Sequence, residues 1–178
     1  PTRLGRRMIG VMPRTKSRTY AMNHITKERA RVIQELKSDL NEFSRSLTNQ
    51  VRRKEDDSSV EAEFSDQELI SLIRSYKIQV SYNIAKRTGD LMSRTIRTMV
   101  NRQLESMGEP YEPLRTVMMT GETPMNEVRD ILSQLESPEM GDSIDVVLAT
   151  SMISHGVDID RLNFISFFGM PRNTARYI

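Results

Sequence analysis

The chain has 178 residues, is 37% hydrophobic and 28% charged, and contains no cysteine and only two histidines, which excludes disulfide bonds and thiolate metal sites. A histidine-built metal site is not expected, because His24 and His155 lie far apart in the sequence. No stretch approaches 18 apolar residues and no apolar signal segment follows the N-terminus, so we expect a cytoplasmic protein without a membrane partner.

The N-terminal part of the chain carries a concentration of positive charge. The formal net charge is only +2, yet residues 1–31 contain nine Lys or Arg against one acid, Glu28. Such a stretch can bind nucleic-acid phosphates by releasing their counterions, and a solvated arm without a ligand remains an equal alternative. We assign residues 1–22 to a basic arm.

Residues 23–76 are expected to form a helical segment with a flexible linker near 52–64. Apolar residues at spacings of 3, 4, 3 and 4 predict an amphipathic helix over about 23–51, with a stripe made of Ile33, Leu36, Leu40, Phe43 and Leu47. The stripe is too short for a coiled coil and is predicted to dock on the body of the protein. Ser65 and Glu68 have the spacing of a capping box and predict a short helix over 65–76.

From residue 77 onward the pattern changes to strands that alternate with helices. Strands are predicted over 78–83, 116–119, 145–149 and 163–168. One helix is predicted over 86–107, with Leu91, Ile96, Met99, Val100 and Leu104 facing inward, and another begins at Pro124. Crossover helices of this length indicate an α/β fold with a parallel sheet covered on both faces.

Ligands of open parallel sheets bind beyond the carboxyl ends of the strands, and three polar loops follow strands here. Thr120 to Pro124 precedes a helix N-terminus, where N–H groups and the helix dipole attract phosphate, although an ordinary capped turn explains it too. In the loop after residue 149, the Thr150 hydroxyl could meet a phosphate and Gly156 would permit close approach of a ligand. Asp158 could accept from a ribose hydroxyl, but turn chemistry explains Asp158 equally well.

Four segments resemble conserved motifs of superfamily two helicases. Residues 149–159 (ATSMISHGVDI) resemble motif V, in which an Ala-Thr pair is followed, six residues after Thr, by Gly, an apolar residue and Asp. Residues 78–91 resemble the motif IV strand and its helix, and residues 118–132 resemble the Thr-Gly segment ahead of motif V. Phe168, Gly169, Pro171 and Tyr177 resemble the approach to motif VI. The resemblance covers residues 78–178 and is nearest to phage-defence (DISARM-type) helicases.

This resemblance implies that residues 77–178 are the second RecA-like domain of a helicase, of the P-loop NTPase type and truncated at its C-terminus. It implies that a nucleic acid is contacted by Asn83, Thr120, Gly121 and Thr150, with DNA favoured over RNA and the choice between them left open. Gly156 and Asp158 are implied to reach the ATP ribose across an interdomain cleft. Ser151 stands where many relatives have Asp, and His155 where RNA helicases often have Arg.

The resemblance implies ATP and Mg²⁺ for the parent protein, but this chain has no GKS or GKT phosphate loop and no DEAD-like magnesium motif. Because it starts at Pro1 and ends within a motif, we expect an excised piece of a longer protein. A missing first RecA-like domain is expected to hold the triphosphate, and an arginine finger is expected beyond Ile178. We therefore expect no catalytic residue here and no ATP hydrolysis by the chain alone.

Two functional hypotheses follow. In the first, the chain is half of an ATP-dependent helicase or translocase. In the alternative, it is a non-catalytic nucleic-acid-binding or scaffold module that uses the basic arm. A dinucleotide-dependent oxidoreductase is disfavoured, because no GxGxxG follows any predicted strand.

Overall fold

A four-stranded parallel sheet lies at the centre of the computed structural model, which describes residues 9–11, 17–55, 63–136, 144–150 and 162–168. The strands are β1 (Gln79–Asn83), β2 (Thr116–Met119), β3 (Val146–Ala149) and β4 (Phe164–Phe168), in the order β2-β3-β1-β4. Helix α4 (Lys86–Thr95), a π-helical turn (Ile96–Val100) and α5 (Asn101–Ser106) connect β1 to β2, and α6 (Met125–Glu136) follows β2. The predicted α/β class is confirmed.

Both faces of the sheet are covered, as alternation along β3 requires. Val146 and Leu148 pack into a cluster with α1 (Arg18–Ser38), α4, the π turn and α5, whereas Val147 and Ala149 pack with α6 on the opposite face. Helix α6 begins at Met125 rather than at Pro124, whose carbonyl accepts the Val128 N–H at 2.9 Å. The result is a three-layer α/β/α arrangement.

The helix after β1 buries three of the five residues predicted to face inward, Ile96, Val100 and Leu104, but not the other two. Leu91 is 48% exposed and Met99 is 51% exposed, so their inward assignment is wrong. The buried side is instead spaced at every fourth residue and consists of Met92, Ile96, Val100 and Leu104. The π turn explains the shift, because its i→i+5 hydrogen bonds advance the inward face by more than 3.6 residues per turn.

The predicted single helix over 23–51 is two helices, α1 (Arg18–Ser38) and α2 (Leu40–Glu55). Ser17 caps α1 earlier than expected, since its hydroxyl accepts the Tyr20 N–H at 3.2 Å. Asp39 interrupts the helix because it has a non-helical backbone and its carboxylate accepts the Glu42 N–H at 2.9 Å. This side-chain cap competes with continuation of the helix and starts α2 instead.

Helix α3 (Asp66–Lys77) confirms two predictions made from the sequence. The Ser65 hydroxyl accepts the Glu68 N–H at 3.3 Å, and the Glu68 carboxylate accepts the Ser65 N–H at 2.9 Å, which completes the capping box. The apolar stripe docks on this helix in a cluster formed by Phe43, Leu69 and Ile73 with Ile33, Leu36, Leu40 and Leu47 around them.

Helix α1 packs into the hydrophobic core on one face of the sheet. It also contributes to a polar layer there, which is formed by Thr26, Gln79 and Ser166. Met22 and Ala30 belong to the apolar cluster with α4 and β3. Gln79, at the start of β1, is fully buried and donates from Nε2 to Thr26 Oγ1 and to Ser166 Oγ, both at 3.0 Å. Among the described residues, Gln79 Oε1 has no hydrogen-bond partner. Within the same described ranges, no helix is long and apolar enough to cross a bilayer.

Candidate functional site

Three of the residues expected to bind nucleic acid lie side by side at the carboxyl edge of the sheet. Tyr82 is in register with Ala149, and Ala149 is in register with Met119, so the next residues of the three strands form one row: Asn83, Thr150 and Thr120. The Thr150 N–H donates to the Met119 carbonyl at 3.0 Å and continues the ladder to this row. With neighbouring strands about 4.8 Å apart, the row spans about 10 Å.

Thr120 is held inside a tight turn. Its side chain is only 7% exposed, and its hydroxyl accepts the Glu122 N–H at 3.2 Å. The Thr120 N–H donates to Thr123 Oγ1 at 2.9 Å, and the Thr123 N–H returns to the Thr120 carbonyl at 3.1 Å. The Thr120 side chain therefore shapes the turn, which leaves Gly121 at its tip.

Gly121 is not required by the fold around it. A Cβ atom built at this position meets no described atom within 4 Å, and the backbone is outside the left-handed region that favours glycine. The absence of a side chain keeps open a surface on the same edge as Thr150. Close approach of a ligand to the backbone is a use for a glycine in such a place.

Asn83 is directed into the protein. It is fully buried, and its Nδ2 donates to the Ser81 carbonyl at 2.9 Å and lies 3.9 Å from the Cβ built at Gly89 on α4. Its Oδ1 is buried and accepts no hydrogen bond from any residue that the structure describes. Asn83 thus occupies the predicted place at the end of β1, beneath the edge surface.

The N-terminus of α4 adds positive potential to this edge. Ala85 at the N-cap has no polar side chain, no acid lies in the first turn, and Lys86 and Arg87 are both exposed there. Acids normally occupy such a turn because the N-terminal end of the helix dipole is positive. The sequence reasoning missed this concentration of positive charge, although its signal, two adjacent cations within four residues of the end of a strand, was present.

An ion pair joins the loops after β1 and β2. Lys86 Nζ contacts the Glu122 carboxylate, and both side chains are largely exposed, so the pair contributes little stability. Its hydrogen bond raises the pKa of Lys86 and lowers that of Glu122. Sequence reasoning missed this contact, because residues 36 positions apart give no local signal.

The residues predicted to bind the nucleotide belong to a different segment of the chain. Gly156 and Asp158 fall outside the described residues, as do Ser151, His155 and the segment from Gly169 to Tyr177. In the part of the chain that the structure describes, no group of three His, Asp or Glu side chains is arranged to hold a metal ion. The described edge presents the Thr150 hydroxyl, the Gly121 backbone and the exposed side chains of Lys86, Arg87 and Glu122.

Comparison with known proteins supports the motif resemblance. Residues 86–178 match the model of the helicase conserved C-terminal domain. The chain is also 31% identical over 120 residues to the DISARM protein DrmA of Bacillus paralicheniformis, an alignment that covers 64% of this chain and 11% of that protein. The chain thus spans about a tenth of the length of this relative, and the DISARM-type similarity is confirmed. The chain belongs to the family of helicase conserved C-terminal domains.

Proposed function

We propose that the chain is a C-terminal-domain fragment of an ATP-dependent nucleic-acid helicase or translocase, and that its carboxyl sheet edge contacts the nucleic-acid backbone. The row formed by Asn83, Thr150 and Thr120 is the observation that carries this proposal. It brings residues from three separate helicase-like motifs within about 10 Å of one another. Within this row Thr150 is partly exposed, whereas Asn83 and Thr120 are buried and support the edge from below.

The groups on this edge suit phosphate rather than base recognition. Thr150 offers a hydroxyl and Gly121 offers an open backbone, and the uncapped α4 N-terminus with Arg87 offers positive potential. Hydroxyls, backbone amides, arginine and helix N-termini are the usual contacts to phosphate, which carry no sequence information. We therefore expect binding that depends strongly on salt and weakly on sequence.

The proposal assigns Gly156 and Asp158 to one wall of the ATP cleft. A first RecA-like domain in the parent protein is proposed to supply the phosphate loop and the magnesium ligands. ATP hydrolysis supplies the free energy for movement. Only eight positions separate Thr150 from Asp158 in the sequence, so a displacement of this segment at the nucleotide would be transmitted to the strand-contacting edge.

The scaffold alternative depends on the basic N-terminal part of the chain. Several cations of this part already form contacts within the described structure. Lys27 and Arg31 pair with Glu28 at 3.1 and 2.9 Å, and Arg29 donates to the Tyr76 carbonyl at the end of α3. These three side chains serve the fold of α1. Five of the nine cations in residues 1–31 precede α1 in the sequence: Arg3, Arg6, Arg7, Arg14 and Lys16.

Fluorescence anisotropy with labelled single-stranded DNA and RNA, measured over a range of salt concentrations, tests the proposal. We expect Thr150→Ala to weaken binding about tenfold, the size of one lost charge-assisted hydrogen bond. The matched control is Thr98→Ala, which removes an exposed hydroxyl that only donates to the Arg94 carbonyl, and it should leave binding unchanged.

Deletion of residues 1–16 separates the two hypotheses without removing α1. If the edge carries binding, the deletion changes the affinity by a small factor and reduces the salt dependence. The scaffold hypothesis predicts that the deletion abolishes binding and that Thr150→Ala has no effect. That pair of results would overturn the proposal.

A further inference from the structure

The segment made of α4, the π turn and α5 carries two arginines on one line along its outer side. Its buried side is spaced at every fourth residue, so the residues displaced from it by two positions point to solvent. They are Asp90, Arg94, Thr98 and Arg102, and all four are exposed. In a regular α-helix, Arg94 and Arg102 would point about 80° apart, because each residue turns the helix by about 100°. The wider π turn between them brings the two into line.

Neither of these arginines is committed to the fold. Within the part of the chain that the structure describes, Arg94 and Arg102 make no hydrogen bond or ion pair through their side chains. Asp90 and Glu105 lie four and three positions from them but form no ion pair with any described residue. Arg97 differs, since its guanidinium donates to a hydroxyl of its own helix at 3.1 Å. Two exposed guanidinium groups about 12 Å apart therefore remain available to a ligand.

The line continues the sheet edge that is proposed to contact nucleic acid. Helix α4 begins at this edge, and exposed Arg87 lies in its first turn. The residues from Arg87 to Arg94 are regular α-helix, which brings these two arginines within about 20° of one line. Arg87, Arg94 and Arg102 thus follow one another away from the edge at steps of about 10–12 Å. A ligand that leaves the edge along α4 meets each of them in turn.

We infer that this line binds the backbone of the same nucleic acid beyond the sheet edge, with Arg94 and Arg102 each contacting a phosphate. The inference rests on the proposed function and extends its contact surface by about 20 Å. Nucleic acid fits the line because its anionic groups repeat along one chain, and a guanidinium can donate two hydrogen bonds to a phosphate. Leu91 and Met99 lie beside the line and are about half exposed, so they offer an apolar surface to the sugars.

Two side chains on the line take no part in this contact. Thr98 lies between the arginines, but its hydroxyl already donates to the Arg94 carbonyl at 2.9 Å, so Thr98→Ala stays a control for a lost hydroxyl. Asp90 repels a phosphate placed directly over it, so phosphates are expected at Arg87 and Arg94 rather than between them. The affinity of the line is therefore assigned to its guanidinium groups.

Fluorescence anisotropy tests the inference, with the full chain titrated at several salt concentrations into a labelled single strand long enough to extend from the sheet edge past Arg102. We expect Arg94→Gln and Arg102→Gln each to weaken binding about fivefold. Each should also reduce the slope of the logarithm of the binding constant against the logarithm of salt concentration by about 0.7, the value for one phosphate of a single strand. Both sites are exposed and glutamine resembles arginine in helix propensity, so the variants should stay folded, which circular dichroism verifies.

Two further variants separate the position of the charge from its amount. Arg129→Gln removes an exposed arginine from α6 on the other face of the sheet, and it should leave affinity nearly unchanged. Arg102→Gln combined with Gln103→Arg keeps the net charge but moves the guanidinium about 100° around α5. This exchange should weaken binding as much as Arg102→Gln does.

The inference is overturned if Arg94→Gln and Arg102→Gln bind like the wild type while Thr150→Ala binds weakly, a result that leaves the proposed function standing. It is also overturned if the exchange of positions 102 and 103 binds like the wild type, or if Arg129→Gln weakens binding equally, because net charge alone then explains the attraction. A wild-type chain that binds no strand at low salt overturns both the inference and the proposed function.

Discussion

The polar layer between α1 and β1 predicts that two similar substitutions differ in their effect on stability. Thr26→Val keeps the shape of a fully buried side chain but removes the acceptor of a 3.0 Å hydrogen bond from Gln79 Nε2. One N–H of the Gln79 amide would then be buried without an acceptor. Such a group costs about 1–3 kcal/mol of unfolding free energy.

Gln79→Leu changes the same contact from the other side. It removes both donated hydrogen bonds, but it also removes the Gln79 Oε1 that has no partner within the described part of the chain. Ser166 keeps the hydrogen bond that its hydroxyl donates to the Val80 carbonyl at 3.3 Å, and Thr26 can bond to its own helix. Because both remaining hydroxyls have an acceptor and the unpartnered Oε1 is removed, we expect a change within about 1 kcal/mol.

Urea unfolding followed by circular dichroism at neutral pH measures both variants. A loss of 1 kcal/mol corresponds to about 2–4 °C in Tm for a chain of this size. Thr98→Val serves as the exposed control. If Gln79→Leu destabilises the protein more than Thr26→Val does, the Gln79 amide is fully satisfied in solution and the reasoning about the polar layer is wrong.

The remaining predictions concern the turn after β2, the α3 cap and catalysis. Gly121→Ala should leave the urea midpoint unchanged, because the added Cβ meets no described atom within 4 Å. The same substitution should weaken oligonucleotide binding in the anisotropy assay severalfold. Equal affinity would show that no ligand approaches this backbone. Ser65→Ala should cost about 1 kcal/mol at neutral pH. Hydrogen bonds from Ser65 lower the folded-state pKa of Glu68. The contribution of this carboxylate to stability is therefore present above its ordinary pKa of 4.5 and is lost as pH falls through the lowered value. A Ser65→Ala cost that does not shrink in acid would contradict the cap. The chain alone should not hydrolyse ATP, and DNA-stimulated turnover above that of a Thr150→Ala, Asp158→Ala double variant would refute this.

Elements with a local signal could be predicted from the sequence. All four strands agree with the predicted bounds within one residue, because each is a short apolar run between polar turns. The Ser65 capping box is likewise contained in four consecutive residues. The row of strand-end residues followed from the strand assignments together with the parallel topology.

Features decided by packing or by distant partners could not be predicted in this way. The π turn shifts burial from Leu91 and Met99 to their neighbours, and nothing in the hydrophobic period indicates it. The break at Asp39 depends on which of two competing hydrogen-bond patterns the backbone adopts. The Gln79 to Thr26 contact joins positions 53 apart, so it becomes visible only once α1 lies on the sheet.

The direction in which α1 crosses the sheet determines where the N-terminal arm is tethered. Arg29 contacts the carbonyl of Lys77, two residues before β1, and Thr26 contacts Gln79, the first residue of β1, so α1 runs antiparallel to the strand. Eight residues of helix back to Arg18 cover about 12 Å, and β1 covers about 13 Å to Asn83. The arm therefore leaves Ser17 about level with the strand-end row. A tether at this point would bring the cations that precede α1 close to a strand bound at that row, where they would add a weak, salt-dependent attraction.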